Sequence, residues 1–121
     1  MLFRSNDQTG QPTSTFDLAD RIINVIDSNL PAGVYHATNS GQATWWEFAR
    51  ELALLSEADI DRISPVPSQL LGSSTMRPEY SVLDHSQWSR VGLNPMRNWR
   101  LALQEIFPKI RNSVMKELNG D

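Results

Sequence analysis

Apolar residues recur at helical spacing in three stretches of the chain. Leu18, Ile22, Val25 and Ile26 fall at i, i+4, i+7 and i+8, which predicts a helix reaching about Asn29 with that face turned to a core. Ser14 or Thr15 offers its N-cap, Asp17 is well placed in its first turn, and Pro31 and Gly33 end it. Thr44 and Glu47 form an S/T-x-x-E capping box, followed by Trp45, Phe48, Ala49, Leu52 and Leu55 on one face of a second helix. That spacing assigns Trp45 to the packed stripe and leaves Trp46 less constrained. Asn98 caps a final helix with Trp99, Leu101, Ala102, Leu103, Ile106 and Phe107 as its apolar set. Pro108 is expected to kink or restart it before Ile110, Val114 and Leu118.

Three short β-prone runs lie between turn formers, at residues 34–37, 60–66 and 80–83. Asp84 is placed to cap a short helix through Trp88 to Val91, which Gly92 stops. Residues 1–6 show no periodicity and read as a ragged start, residues 7–13 as a polar loop, and Gly72-Ser73-Ser74-Thr75 as a flexible one. Helices alternating with short strands, without an internal repeat, predict a mixed α/β fold.

Composition narrows the function. A chain of 121 residues is one domain. Its net charge of −3 argues against a nucleic-acid binder, and no apolar run approaches the roughly 20 residues of a membrane span. The absence of cysteine excludes disulfides, thiolate metal sites and cysteine nucleophiles, and fits a cytoplasmic protein. Residues 77–121 carry seven Lys/Arg against five Asp/Glu, so this third is mildly basic in an otherwise acidic chain. It is either a solvated helix surface or a face for an anionic small molecule.

Most catalytic signatures are missing. There is no G-x-G-x-x-G, Walker loop or G-x-S-x-G elbow, and His36 and His85 lack metal-ligand spacing. Neither Tyr35 nor Tyr80 has the lysine four positions on that a Tyr-x-x-x-Lys reductase site needs. Three segments read as ligand-binding surface. The first is the loop of Gln8, Thr9, Gln11 and Thr13 beside a helix N-terminus, which favours an anion unless it is an ordinary polar turn. The second is Thr44-Trp45-Trp46, an aromatic wall for a base or sugar if not helix core. The third is Arg77, held extended by Pro78, which grips a phosphate bidentately or makes a surface salt bridge.

Four motifs in register carry a family resemblance: Asp7-Gln8-x-Gly10-x-Pro12-Thr13, Gly33-x-Tyr35-His36, Thr44-Trp45-x-x-Phe48-Ala49 and Arg77-Pro78-x-x-Ser81-x-Leu83. In order and spacing, residues 7–107 resemble the dTDP-4-dehydrorhamnose reductases, extended short-chain dehydrogenase/reductases. The resemblance implies the substrate-binding portion of a Rossmann-type reductase, with the NADPH-binding half and the Tyr-x-x-x-Lys lying upstream. It implies a dTDP-sugar substrate, reduction of its 4-keto group to dTDP-L-rhamnose, NADPH in the full-length family and no cofactor or catalysis for this chain alone. Arg77 matches an arginine that, in related nucleotide-sugar enzymes, faces the substrate diphosphate, and Gln8, Gly10 and Thr13 match the loop bordering the pocket; Trp45 joins them as a substrate-binding candidate on the aromatic-wall reading above. No acids match the magnesium-bridged dimers of some members, so no metal is expected. Residues 1–6 fall outside the motifs, and Leu-Phe-Arg-Ser reads as a cloning or sequencing scar. Residues 7–121 are then the substrate-binding domain, with self-association or homodimerisation expected through surfaces that would face the Rossmann half. The alternative is a non-catalytic relative, like the regulatory β subunit of methionine adenosyltransferase, acting by protein binding.

Overall fold

The computed structural model describes residues 1–72 and 75–119. Ser73 and Ser74 of the expected flexible loop lie outside the described residues, as do the side chains of Val114 and Leu118.

Leu2–Ser5 forms a strand, β1, and not a ragged start. It pairs in parallel with β5, Ile63–Val66, in the register Leu2↔Ile63 to Ser5↔Val66. Thr9–Gly10 (β2) pairs antiparallel with Ala43–Thr44 (β4), and Asn39–Ser40 (β3) pairs in parallel with Met96–Asn98 (β6). The fold is therefore mixed α/β, with three two-stranded ladders among the described residues tied together by helices. Two expected strands shift or dissolve. Residues 34–37 are irregular and the pairing falls later, at β3; residues 80–83 contribute only a bridge from Tyr80 to Thr9. In both places side chains take the bonding groups that a ladder would use. Gln11 Oε1 accepts from Leu83 N–H at 2.8 Å, and His36 C=O accepts from the Trp88 indole at 2.8 Å. The first three residues of the 60–66 run tighten into a 3₁₀ turn capped by Asp59, leaving β5 as the strand.

Helix α1, Thr15–Asp27, starts at Ser14, whose hydroxyl accepts from Asp17 N–H. It ends through Asn29, a residue with a short polar side chain that tolerates the left-handed φ of 40° found there. Helix α2, Trp45–Leu55, carries the full Thr44–Glu47 capping box, and it packs on β1 and β5. Helix α3 is short, Ser86–Arg90, and starts at His85. Asp84, the expected cap, accepts from Ser86 N–H at 3.2 Å instead, as an Asx turn just ahead of the helix. Helix α4, Trp99–Asn119, runs through Pro108 without restarting.

Two tryptophans hold the core, each about 1% exposed. Trp99 packs with Ala43 and Leu103 and meets Phe48 at 5.9 Å between ring centres, joining α4 to α2. Trp88 packs on Tyr35, its centroid 5.1 Å away, beneath the Arg21 guanidinium at 4.5 Å. The α1 face expected to be buried is not. Ile22 and Ile26 are exposed, Leu18 and Val25 are half-buried, and no α1 residue is fully covered. Periodicity gave α1 an apolar stripe, but no described element lies over it. Among the described residues no helix is long and apolar enough to cross a membrane, and no cluster of three or more His, Asp or Glu could hold a metal.

Candidate functional site

Two residues assemble the site. Thr9 and Gly10, as β2, pair on one side with β4, whose next residue, Trp45, opens α2. On the other side Thr9 N–H donates to Glu79 C=O at 2.8 Å, and Ser81 N–H donates to Thr9 C=O at 2.9 Å. The segment that follows Arg77-Pro78 is thereby stitched to the same strand. Segments separated by some 35 residues each meet around one groove of roughly 640 Å³. Gln8, Gly10, Thr13, Trp45 and Arg77, the five residues named from sequence, all line it.

Their side chains are differently committed. Gln8 Oε1 accepts from the buried Ser5 hydroxyl at 3.2 Å. The Thr13 hydroxyl donates to Gln11 C=O at 3.0 Å and accepts from Asn39 N–H at 3.3 Å. Gly10 has Ser81 Oγ only 3.0 Å from where a Cβ would stand, so glycine there lets the two strands close. Trp45 is 50% exposed, and neither its indole N–H nor the Arg77 guanidinium has a hydrogen-bond partner among the described residues. Arg77 is also the one charged side chain among the described residues lining the groove. The apolar part of the wall is Phe48 from α2 with Trp99, Leu103 and Ile106 from α4.

The tryptophan pair reverses the helical-wheel expectation. Trp46 is the packed one, its indole donating to Ile63 C=O at 3.2 Å and its face covered by Arg50 at 4.8 Å. Helix α2 docks on β5 by that flank, which turns Trp45 to the groove. The helix N-terminus beside the loop is also less open to an anion than its sequence suggests. Ser14 N–H donates to Asn39 Oδ1 at 2.7 Å, Asp17 N–H goes to Ser14 Oγ, and the Asp17 carboxylate already sits in the first turn. Asp17 accepts from Arg97 Nε and Nη2 at 2.8 and 2.7 Å, and this pairing lowers its pKa despite partial burial, with help from Asn39. The local positive field of α1 is spent internally. An anion entering the groove finds its counter-charge at Arg77.

Three contributors were not among the residues named as lining the site: Ser81, quoted only as a motif residue, the α4 wall, and Asn39 behind the loop. Ser81 and the α4 wall are visible only once β2 and Trp99 bring them in. Asp7, within the motif, does not reach the groove; its carboxylate accepts from Ser68 N–H at 2.9 and 3.0 Å and from Ser68 Oγ, capping the 3₁₀ turn after β5. Asn39 is fully buried and bonds four groups.

A family model described as the RmlD substrate binding domain matches residues 2–112, so β1, expected to lie outside the resemblance, falls within it. A dTDP-4-dehydrorhamnose reductase of Streptomyces griseus is 48% identical over 119 residues, covering 95% of this chain and 39% of that protein. Two crystal structures superpose well. A dTDP-4-dehydrorhamnose reductase from Clostridium acetobutylicum matches 91% of this chain and 39% of its own, at 32% identity and a TM-score of 0.84. One from Bacillus anthracis, in complex with NADP, matches 89% and 38% at 30% identity and a TM-score of 0.82. The chain thus spans under two-fifths of the length of these relatives.

Proposed function

The chain belongs to the RmlD substrate-binding domain family, and from that premise we propose that its groove holds the nucleotide part of a dTDP-sugar, as the substrate-binding portion of an NADPH-dependent dTDP-4-dehydrorhamnose reductase. In this reading the whole enzyme reduces the 4-keto group of dTDP-6-deoxy-L-lyxo-4-hexulose, giving dTDP-L-rhamnose, in the cytoplasm. The observation that carries it is Arg77, an unpartnered guanidinium and the one charge among the described lining residues. A diphosphate offers the planar, bidentate acceptor that guanidinium fits, and an otherwise neutral groove leaves that attraction uncompensated. Trp45 supplies an open aromatic face for the thymine ring. Gln8 and Thr13, both held by the protein, shape the rim, and Gly10 lets Ser81 close on it.

No glycine-rich strand-to-helix turn among the described residues fits a dinucleotide. What these residues do is bind and orient. The three relatives named above are reductases by name, which supports this reading over the non-catalytic, protein-binding alternative. Exposed apolar side chains on β1 and α1 give the isolated chain a surface for self-association.

The test is a tryptophan-fluorescence titration with dTDP. A saturable change that disappears in Trp45→Leu but survives in Trp46→Phe is expected. An unresponsive wild-type chain, or a response unaffected by Trp45→Leu, contradicts the assignment.

A further inference from the structure

The rim loop of the groove is fastened from behind by two adjacent residues that do not line it. Thr38 O–H donates to Gln11 Oε1 at 2.9 Å. Gln11 Oε1 also accepts from Leu83 N–H at 2.8 Å, and Gln11 Nε2 donates to Leu83 C=O at 3.4 Å. These contacts fix which end of the carboxamide is oxygen. Because the Thr38 hydroxyl spends its one proton on Gln11, it must accept from His85 Nε2, 2.7 Å away, and His85 carries its proton on that nitrogen. Next to Thr38, Asn39 uses both ends of a fully buried side chain. Its Oδ1 accepts from Ser14 N–H, and its Nδ2 donates to Asp17 Oδ2 at 2.7 Å and to Arg97 C=O at 3.1 Å. Its own N–H donates to Thr13 Oγ1. Gln11, Thr13 and Ser14, all of which line the groove, are therefore each bonded to this dipeptide.

We propose that Thr38 and Asn39 are positioning residues for the groove: they hold the rim loop in its ligand-facing arrangement without touching the ligand. The ligand named here rests on the dTDP reading above; the clasp does not. A loop held in place before binding need not be ordered at the moment of binding, so releasing the clasp weakens affinity even where the fold survives. β3, on which Asn39 lies, is itself anchored to β6, so the clasp is tied to the base of α4 and not to another loop.

The 121-residue chain is tested as wild type, Thr38→Val, Thr38→Ser and Asn39→Ala by two readouts. These are amide exchange at Leu83 and Ser14, compared with α2, and dTDP affinity by calorimetry. Thr38→Val is expected to speed exchange at Leu83 with α2 unchanged and to weaken dTDP binding about three- to tenfold, the worth of one part-buried hydrogen bond. Thr38→Ser, which keeps the hydroxyl, restores both. Asn39→Ala is expected to do the same at Ser14; if its buried vacancy unfolds the chain, the Thr38 pair decides. Unchanged exchange at Leu83 in Thr38→Val overturns the clasp, as does faster exchange with unchanged dTDP affinity. A wild type that binds no dTDP defeats the nucleotide reading instead, and the exchange pattern alone then supports or overturns the clasp.

Discussion

Asp17 and His85 show how single groups make this fold acid-sensitive. The Arg97 hydrogen bonds hold the Asp17 carboxyl below its ordinary value near 3.8. The unfolded chain therefore takes up that proton first, and the pair's contribution, complete above that value, is lost as pH falls through the lowered one. Burial likewise pushes the His85 imidazole below 6.5, against Asp84 and with His36 and Arg21. The neutral form is the one the fold accommodates, so stability drops as pH falls below 6.5. Urea unfolding across pH 3–7 is expected to show two losses on acidification, the earlier absent in His85→Gln and the later reduced in Asp17→Asn, because Glu105, bonded to Arg97, and Asp84, bonded to Ser86, are also held below their ordinary values. A flat profile down to pH 4 in wild type excludes the His85 effect. The residue scale is also where sequence was least informative. Trp45 and Trp46 are neighbours, and only the docking of α2 on β5 decides which packs and which faces the groove. Arg77 could be named beforehand because an arginine held extended by Pro78 is a local pattern, whereas the helical spacing put Trp45 in the packed stripe and the structure turns it to the groove.

At the scale of elements, local signals placed α1, α2 and α4 well, because caps and 3.6-residue spacing are properties of adjacent residues. Non-local pairing was invisible. β1 finds its partner some sixty residues away, and a four-residue parallel strand leaves no alternation to read. The α1 stripe was legible as a stripe, but periodicity does not say what covers it. Two substitutions test the helices. Thr44→Ala removes the hydroxyl that accepts from Glu47 N–H and is expected to cost about 1–2 kcal/mol by chemical denaturation. Pro108 stands inside α4 on an exposed face, where it removes one backbone bond. Pro108→Ala is expected to stabilise the chain by about 1–3 kcal/mol. No gain would mean that α4 is already distorted at that turn.

For the molecule as a whole, one group of exposed apolar residues lies on two elements. Leu2 and Phe3 on β1 and Phe16, Ile22, Ile23 and Ile26 on α1 are all 44% exposed or more, while the groove's apolar wall is shared between α2 and α4. A protein of this size seldom leaves so many large side chains uncovered on two elements. Sedimentation of the 121-residue chain is expected to show concentration-dependent association that Ile23→Glu with Ile26→Glu reduces; a clean monomer at all concentrations counts against it.

Arg77 carries the nucleotide assignment, and calorimetric titration of dTDP into wild type and Arg77→Ala is its test. Charge-assisted hydrogen bonds to a diphosphate make the predicted loss about ten- to a hundredfold in affinity. The melting temperature should not move, because Arg77 holds no other described residue. Equal affinity in the two proteins, or no binding by wild type, would contradict the assignment of the groove to a dTDP-sugar.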